Sequence, residues 1–251
     1  MKVKSIFAVS LLAAGAAFAD TTTVDTEYVL GVMPVTASGK TQVILSVPWV
    51  AEGTENATTI AVKNLVKTAG LAENDTLTWY DTANGKFMQW KIETVAGVNE
   101  WVPVTSVTDS GNYEAASTSK AISRGEAVVL TRASTTNPIY VVGQVGSTAS
   151  STTTITAGAY TLLAPPTASA SAFDLNTLNV TSGTINADDQ IVTDVSNGVP
   201  LTFVRSDGKW TPTYNLNLGK ALVPAGRGFW YKRAAGAGDL VVSWTAPATS
   251  N

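Results

Sequence analysis

The sequence predicts an all-β protein made of two tandem related modules of the β-sandwich or barrel-like type, with one short helix per module. Three observations predict this class: an internal repeat, many short β-branched segments between turn signals, and a charged fraction of only 14%. Short strands with a turn about every 8 to 12 residues are typical of sandwiches and barrels.

Residues 1–19 have the layout of a secretory signal peptide. Lys2 and Lys4 precede an apolar run, and the triplet ending in Ala19 is a small-x-small cleavage site. The run is shorter than the roughly 20 apolar residues that a transmembrane helix needs. We therefore expect a mature chain that starts at Asp20, has no transmembrane segment, and is secreted, held at the cell surface or kept in the periplasm.

Residues 20–40 form an N-terminal leader strand that has no counterpart before the second copy of the repeat. Tyr28, Leu30 and Val32 alternate along the leader, so an extended strand places them on one face. Such a strand can be added to the sheet of a neighbouring subunit, which makes these three the predicted self-assembly residues. The alternative is pairing within the same chain, and the sequence does not choose between the two.

The repeat relates β module 1, residues 41–146, to β module 2, residues 158–247. In order, "DTANG" meets "DVSNG", "EWVPV" meets "KWTPT", "ISRGEAVVLTR" meets "VPAGRGFWYKR", and "PIYVVGQ" meets "GDLVVSW". The first pair belongs to a longer ungapped alignment of residues 61–85 with residues 174–198, which also places Asp75 opposite Asp188. Shared motifs in the same order predict a tandem duplication. Residues 147–157, rich in Ser and Thr, are predicted to be a linker, although their β-branched residues also suit a strand.

The same elements are expected in each module. An apolar strand opens it, and a short helix candidate follows at 59–70, where Thr59 is a suitable N-cap. The corresponding helix in the second module, at 174–183, is a weaker candidate. Strands through "TLTWY" and "FMQWKI" then flank Asn84-Gly85, a strong hairpin signal because both residue types tolerate positive φ. A last hairpin closes the module.

Aromatic residues supply the candidate ligand site. The run Phe229-Trp230-Tyr231 aligns with three apolar residues of the first module, which favours a core strand. The alternative is an exposed platform on which sugar rings stack. The candidate ligand-binding residues are Trp230, Tyr231, Trp79, Tyr80 and Trp90.

The absence of His and Cys from the chain removes most catalytic chemistry. Serine-protease-like triads, imidazole bases, the usual zinc sites and thiol nucleophiles all need one or the other. We therefore predict no enzyme activity, no cofactor and no metal site. The net charge is −3 and no Lys/Arg cluster occurs, so nucleic acid is not an expected partner.

The second copy, over residues 160–246, carries "ADDQI", a tryptophan strand and "VPAGRGFWYKR". This set resembles uncharacterised exported bacterial proteins whose β modules end in a Gly-x-Gly-Phe-Trp-x-Lys-Arg hairpin. The first copy departs from the pattern, with "ENDTL" and "RGEAVVLTR" in the same places. The resemblance implies export and β modules, and it implies no activity.

Together these features predict a non-enzymatic exported structural protein, a subunit of a surface layer or an extracellular filament, whose partners are copies of itself. The alternative is a surface protein that binds a carbohydrate or surface glycan through exposed Trp and Tyr.

Overall fold

The computed structural model is all-β. It describes residues 30–35, 42–47, 59–66, 68, 70–117, 119–123, 125–133, 139–144, 150–165, 172–193, 200–213, 220–224 and 226–245. The predicted signal peptide and Tyr28 lie outside the described residues. Within these ranges, no helix has the length and apolar character needed to cross a membrane.

The N-terminal half, as used here, covers the described residues between 30 and 144. Its elements are β1 (Leu30–Val35), β2 (Gln42–Ser46), β3 (Thr59–Ala61), α1 (Val62–Leu65), β4 (Thr76–Asp81), β5 (Lys86–Val95), β6 (Val98–Pro103), β7 (Ala121–Ser123), β8 (Ala127–Thr131) and β9 (Ile139–Gln144).

The C-terminal half covers the described residues between 150 and 245. Its elements are β10 (Ser150–Ile155), β11 (Tyr160–Leu163), β12 (Phe173–Asp174), a 3₁₀ turn (Leu175–Thr177), β13 (Asn179–Ser182), β14 (Gln190–Thr193), β15 (Leu201–Ser206), β16 (Lys209–Pro212), β17 (Leu222–Val223), β18 (Phe229–Lys232) and β19 (Leu240–Thr245).

The two halves have the same order of strands. The N-terminal half contains the antiparallel sheet β2-β8-β4-β5-β6, and the C-terminal half contains the antiparallel sheet β11-β18-β14-β15-β16. Each half adds a second sheet, β1-β9 in the first and β10-β19-β13 in the second, and a small pair of strands, β3-β7 and β12-β17. When the strands of each half are taken in sequence order, β2, β4, β5, β6 and β8 occupy the same positions in their sheet as β11, β14, β15, β16 and β18.

Each half has its own sandwich-like core. Because side chains alternate along a strand, the inward positions of the five-stranded sheet pack on the second sheet of the same half. The N-terminal core combines Trp79, Trp90 and Trp101 with Ile139 and Val141 of β9. The C-terminal core combines residues of β14, β15 and β18 with Leu240, Val242 and Trp244 of β19; those residues are Ile191, Phe203, Phe229 and Tyr231.

The prediction of one short helix per module is not confirmed. Over 59–70 the chain forms β3 and then only the single turn α1, which has no side-chain cap. The β-branched Thr59, Ile60, Val62 and Val66 favour extended backbone, and one isolated turn cannot offset the cost of helix nucleation. The corresponding segment of the C-terminal half is a 3₁₀ turn, in which the Asp174 carboxylate accepts a hydrogen bond from the Asn176 amide.

The predicted linker is largely a strand. Residues Ser150–Ile155 form β10, which pairs antiparallel with β19 along its whole length. Exposure alternates along Thr152, Thr153 and Thr154, and Ile155 is buried, which is the pattern of a half-buried strand. The leader strand also has a counterpart, contrary to expectation. Six-residue β1 pairs with six-residue β9 as β10 pairs with β19, so β10 is the equivalent of β1.

Candidate functional site

A buried ion pair ties the end of β8 to the start of β4 in the N-terminal half. The Asp75 and Arg132 side chains are fully buried, and Arg132 Nε lies 2.9 Å from Asp75 Oδ2. Two backbone amides complete the carboxylate shell, from Ala133 to Oδ1 at 2.6 Å and from Ala72 to Oδ2 at 3.0 Å. Arg132 Nη2 also donates to the Gly70 carbonyl at 2.7 Å. We call this group the Asp75 clamp.

The C-terminal half has the same arrangement, the Asp189 clamp. Arg233 follows β18 and donates through Nη1 to Asp189 Oδ2. The amides of Ala234 and Asn186 donate to the two carboxylate oxygens, each at 2.8 Å. Arg233 Nη2 donates to the Thr184 carbonyl at 3.0 Å. Equivalent residues supply the arginine and the two amides of both clamps, although Arg132 reaches the carboxylate through Nε and Arg233 through Nη1.

The Asp189 clamp adds one partner, the Tyr231 hydroxyl, which donates to Asp189 Oδ2 at 2.7 Å. Burial of the ring and the hydrogen bond to Asp189 raise the pKa of Tyr231 well above its usual range. The hydroxyl therefore stays protonated and keeps donating at any ordinary pH. Its equivalent in the N-terminal half is the apolar Leu130, so the extra bond belongs to the C-terminal half.

The clamps are structural rather than reactive. Both aspartates are inaccessible, and each of their oxygens is occupied by donors, which satisfies the buried charges. A substrate or metal has no open coordination position there. Among the described residues, no three His, Cys, Asp or Glu side chains are grouped so as to hold a metal ion.

The alignment of Asp75 with Asp188 is wrong by one residue. The structural equivalent of Asp75 is Asp189, whereas Asp188 is exposed. Gly70 and Gly183 both have left-handed backbone, with φ of 83° and 81°, and so mark equivalent points. The loop from that glycine to the clamp aspartate is one residue longer in the C-terminal half. A shift of one residue reverses the face of every side chain in a strand.

A second cluster joins the two halves. Ile44, Ala127, Leu162 and Ala164 are buried together, and the partly buried Tyr80, Val129 and Trp230 pack around them. We call this set the seam. Its members come from β2, β4 and β8 of one half, and from β11, β18 and Ala164 directly after β11 in the other.

Backbone hydrogen bonds cross the seam in both directions. The Ser46 amide donates to the Gly226 carbonyl at 3.0 Å, and the Ala164 amide donates to the Gly125 carbonyl at 2.9 Å. These two bonds are equivalent, because β2 corresponds to β11 and the turn before β8 corresponds to the turn before β18. Gly125 and Gly226 have left-handed backbone at matching positions, with φ of 89° and 73°. The halves therefore meet with approximate two-fold symmetry.

Three of the five predicted ligand residues are core residues, which corrects the platform hypothesis for them. Tyr231 is 0% exposed, Trp90 1% and Trp79 5%. Trp90 Nε1 donates to the Ser117 carbonyl at 3.2 Å, and the Lys120 ammonium lies 3.6 Å from the Trp79 ring centroid. Their rings are enclosed because they fill the inner faces of the five-stranded sheets.

The other two predicted ligand residues meet each other. Tyr80 and Trp230 are partly exposed and pack edge to face across the seam, with ring centroids 5.6 Å apart. Phe87 lies 6.2 Å from Trp230, and the more exposed Tyr160 lies 6.5 Å from it. Trp230 therefore packs on two aromatic rings of the N-terminal half, Tyr80 and Phe87, and on Tyr160 of its own half.

The predicted self-assembly residues lie partly in the described chain. Leu30 and Val32 belong to β1, opposite Gln144 and Val142 of β9, so the leader strand pairs within its own chain.

The clamp arginines were not predicted as a site. The signal for them was the equal Gly-to-Arg spacing in "GEAVVLTR" and "GRGFWYKR", which brings Arg132 and Arg233 to the same place.

Glu126, in the turn before β8, is expected to make the stability of the fold depend on pH. Its Oε2 accepts from the Ser123 amide at 2.7 Å, yet burial raises the pKa of Glu126 above its usual range. The folded state thus favours the protonated acid. The protonated Glu126 therefore stabilises the fold fully at pH values below the pKa that it has in the unfolded chain. This stabilisation is lost as the pH rises through the higher pKa that it has in the folded protein.

Glu126→Gln is therefore expected to raise the free energy of unfolding at pH 7, because the amide oxygen keeps the Ser123 bond without a partly buried charge. The gain should shrink toward zero below about pH 4.5. Urea unfolding at several pH values checks this. Glu100→Gln on the exposed β6 is the matched control, and an equal gain there would contradict the role of burial.

No protein-family model matches this chain. No curated protein and no solved structure matches it either. The assignment of function therefore rests on the geometry of this chain, and the resemblance to exported bacterial proteins stays a prediction.

Proposed function

We propose that this chain is an exported, non-enzymatic structural protein of two tandem modules that assembles with copies of itself into a surface layer or filament. The proposal rests on the position and pairing of β1. It is a six-residue strand at the edge of its sheet, and it pairs with β9 from the first residue to the last. A strand so placed is suited to exchange between subunits.

Two tandem modules are supported by repeated geometry rather than by sequence alone. Both halves have the same order of strands in their five-stranded sheets. Both also place an aspartate before the third strand of that sheet and an arginine after the second, joined by a buried ion pair. An origin by duplication explains why such a specific contact occurs twice.

The difference between β1 and β10 supports exchange. Both strands complete the second sheet of their half by pairing with its last strand. The chain holds β10 from both ends, because it runs between β9 and β11. With the predicted cleavage after Ala19, β1 lies close to the mature N-terminus and is held from one end. Pairing with β9 of a neighbour would use the same hydrogen bonds as pairing in its own chain.

The experiment uses the absence of cysteine from the chain. Val32 and Val142 are directly opposite each other in β1 and β9. One mature protein carries Val32→Cys, and a second, isotopically labelled, carries Val142→Cys. They are unfolded together, refolded as a mixture, allowed to assemble and oxidised. We expect a disulfide between one labelled and one unlabelled chain in the assembled fraction.

The matched control is the equivalent pair in the C-terminal half, Thr152→Cys mixed with Ser243→Cys. Because β10 is held at both ends, this mixture should give no such disulfide above the level of random collision. If the two mixtures give equal yields, strand exchange is wrong. If the mature protein forms no assembly at any concentration, the structural function itself is wrong.

A further inference from the structure

We infer that the free edge of β10 is a second assembly contact, which pairs antiparallel with β10 of another copy. This inference rests on the proposed structural function and names a surface for it. In the part of the chain that the structure describes, β10 pairs with β19 on one side and with no strand on the other. An unpaired edge presents a row of amide and carbonyl groups that another strand can bind.

The composition of β10 leaves this edge unprotected. The strand is "SSTTTI", six residues with no charge, no proline and no register shift against β19. Thr152 and Thr154 are exposed on the outer face, and Ile155 is buried on the inner face. Proteins usually blunt an edge of this length with a lysine, a proline or a bulge.

The other long edges of the described sheets have such protection. Strand β6 contains Glu100 and Pro103, and β16 contains Lys209 and Pro212. Strand β1 contains Pro34, which has no amide hydrogen to donate. These edges therefore present either a charge or a missing donor to an incoming strand.

The remaining edges are occupied or distorted. The seam covers β2 and β11, since Arg227 bridges to Leu45 and Glu126 bridges to Leu163. Strand β13 has a register shift between Val180 and Ser182, which twists an edge away from pairing. On the side away from β1, β9 is bridged at Val141 by Val66. The six-residue edge of β10 has no charge, no proline, no register shift and no bridging residue among the described residues.

A second copy of β10 is the partner that this edge fits best. Antiparallel self-pairing places no like charges opposite each other, because the strand has no charges. Opposed threonines form favourable cross-strand pairs. The contact is isologous, so it joins two subunits about a two-fold axis. When each subunit gives β1 to the next, the exchange is head to tail and does not close. Together with the β10 contact it would build a layer rather than a single filament.

The first test is a distance measurement between copies. Thr154→Cys carries a nitroxide label, and Asn179→Cys on β13, at the other edge of the same sheet, carries the same label as control. Self-pairing of β10 should bring two Thr154 labels within roughly 10–20 Å, since paired strands lie about 4.8 Å apart. The dipolar signal should disappear on dilution with unlabelled protein. An equal signal from both positions, or none from Thr154, overturns the inference.

The second test blocks the edge. Thr152→Lys with Thr154→Lys places two charges on exposed positions of β10, and Asn179→Lys places one in the same row of the same face, because Asn179 and Thr152 both lie opposite Ser243. We expect the double variant to lose the two-fold contact, seen as a halved mass in sedimentation or as filaments in place of layers. Asn179→Lys should assemble as wild type does. Unchanged assembly of the double variant would overturn the β10 contact.

The two proposals fail separately. If the Val32/Val142 disulfide forms between chains while the Thr154 labels stay apart, the structural function stands and the β10 contact is wrong. If the mature protein remains a monomer in both experiments, both are wrong.

Discussion

Replacing Asp189 with alanine is expected to lower the free energy of unfolding by about 3–5 kcal/mol, the usual result of breaking a buried ion pair on one side. The substitution leaves the Arg233 guanidinium buried without its carboxylate and removes the acceptor of the Tyr231 hydroxyl. It also leaves the amides of Asn186 and Ala234 without their acceptor. Urea unfolding followed by tryptophan fluorescence measures the loss.

Asp188→Ala is the matched control, because the two aspartates are adjacent and only one belongs to the clamp. Asp188 is exposed, so its replacement should change stability by no more than about 0.5 kcal/mol. The comparison also tests the equivalence of Asp75 with Asp189. A larger loss for Asp188→Ala than for Asp189→Ala would show that the sequence alignment was right and the described clamp wrong.

Gly228→Ala is expected to destabilise the protein by about 1–3 kcal/mol, because the seam has no space for a methyl group there. A Cβ at this position would lie 2.6 Å from the Leu163 carbonyl oxygen, 2.7 Å from Ala127 Cβ and 2.8 Å from Ile44 Cγ2. The first of these is a backbone atom, so no rotamer change relieves it. The Gly228 amide donates to the Ile44 carbonyl across the seam at 2.9 Å, and the methyl group would strain that bond.

Gly238→Ala provides the control for the backbone effect of adding a methyl group. Nothing lies within 4 Å of a Cβ at Gly238, and neither this residue nor Gly228 has left-handed backbone. Thermal unfolding should therefore leave Gly238→Ala close to the wild type and lower the midpoint of Gly228→Ala. Equal midpoints for both variants would mean that the halves do not meet as the seam requires.

The sequence was sufficient for the features that depend on local pattern. Alternation and β-branched content predicted the all-β class, and Asn84-Gly85 predicted the hairpin between β4 and β5, which the structure confirms. The pairing of "EWVPV" with "KWTPT" places Trp101 opposite Trp210, and both are core residues, 7% and 3% exposed. Each of these signals lies within a few residues of the feature it predicts.

The features that depend on distant partners were missed. The Ser/Thr segment was predicted to be a linker because its composition is polar, and β19 supplies the hydrogen bonds that make it a strand. The helix at 59–70 failed because β7 pairs with Thr59–Ala61. Asp188 and Asp189 are adjacent, so an ungapped alignment by residue identity could match Asp75 to Asp188. The extra residue in the loop, which makes Asp189 the equivalent, is visible only in the structure. The aromatic run made Trp230 a candidate for stacking on a ligand, but in the folded protein the Tyr80 ring packs against it. Tyr80 is distant in sequence, so the run alone could not indicate this contact.

The seam has a consequence for the order of events in folding. Ile44 lies near the start of the described chain and Gly228 near its end, yet their backbones are hydrogen bonded. Contacts between residues so far apart form late and slowly, because closing a long loop costs entropy before any contact offsets it. Each half has its own core and clamp, so each can reach its native state before they meet. Until then Trp230 and Tyr80 would remain open to solvent, and the burial of Trp230 would report the slowest step.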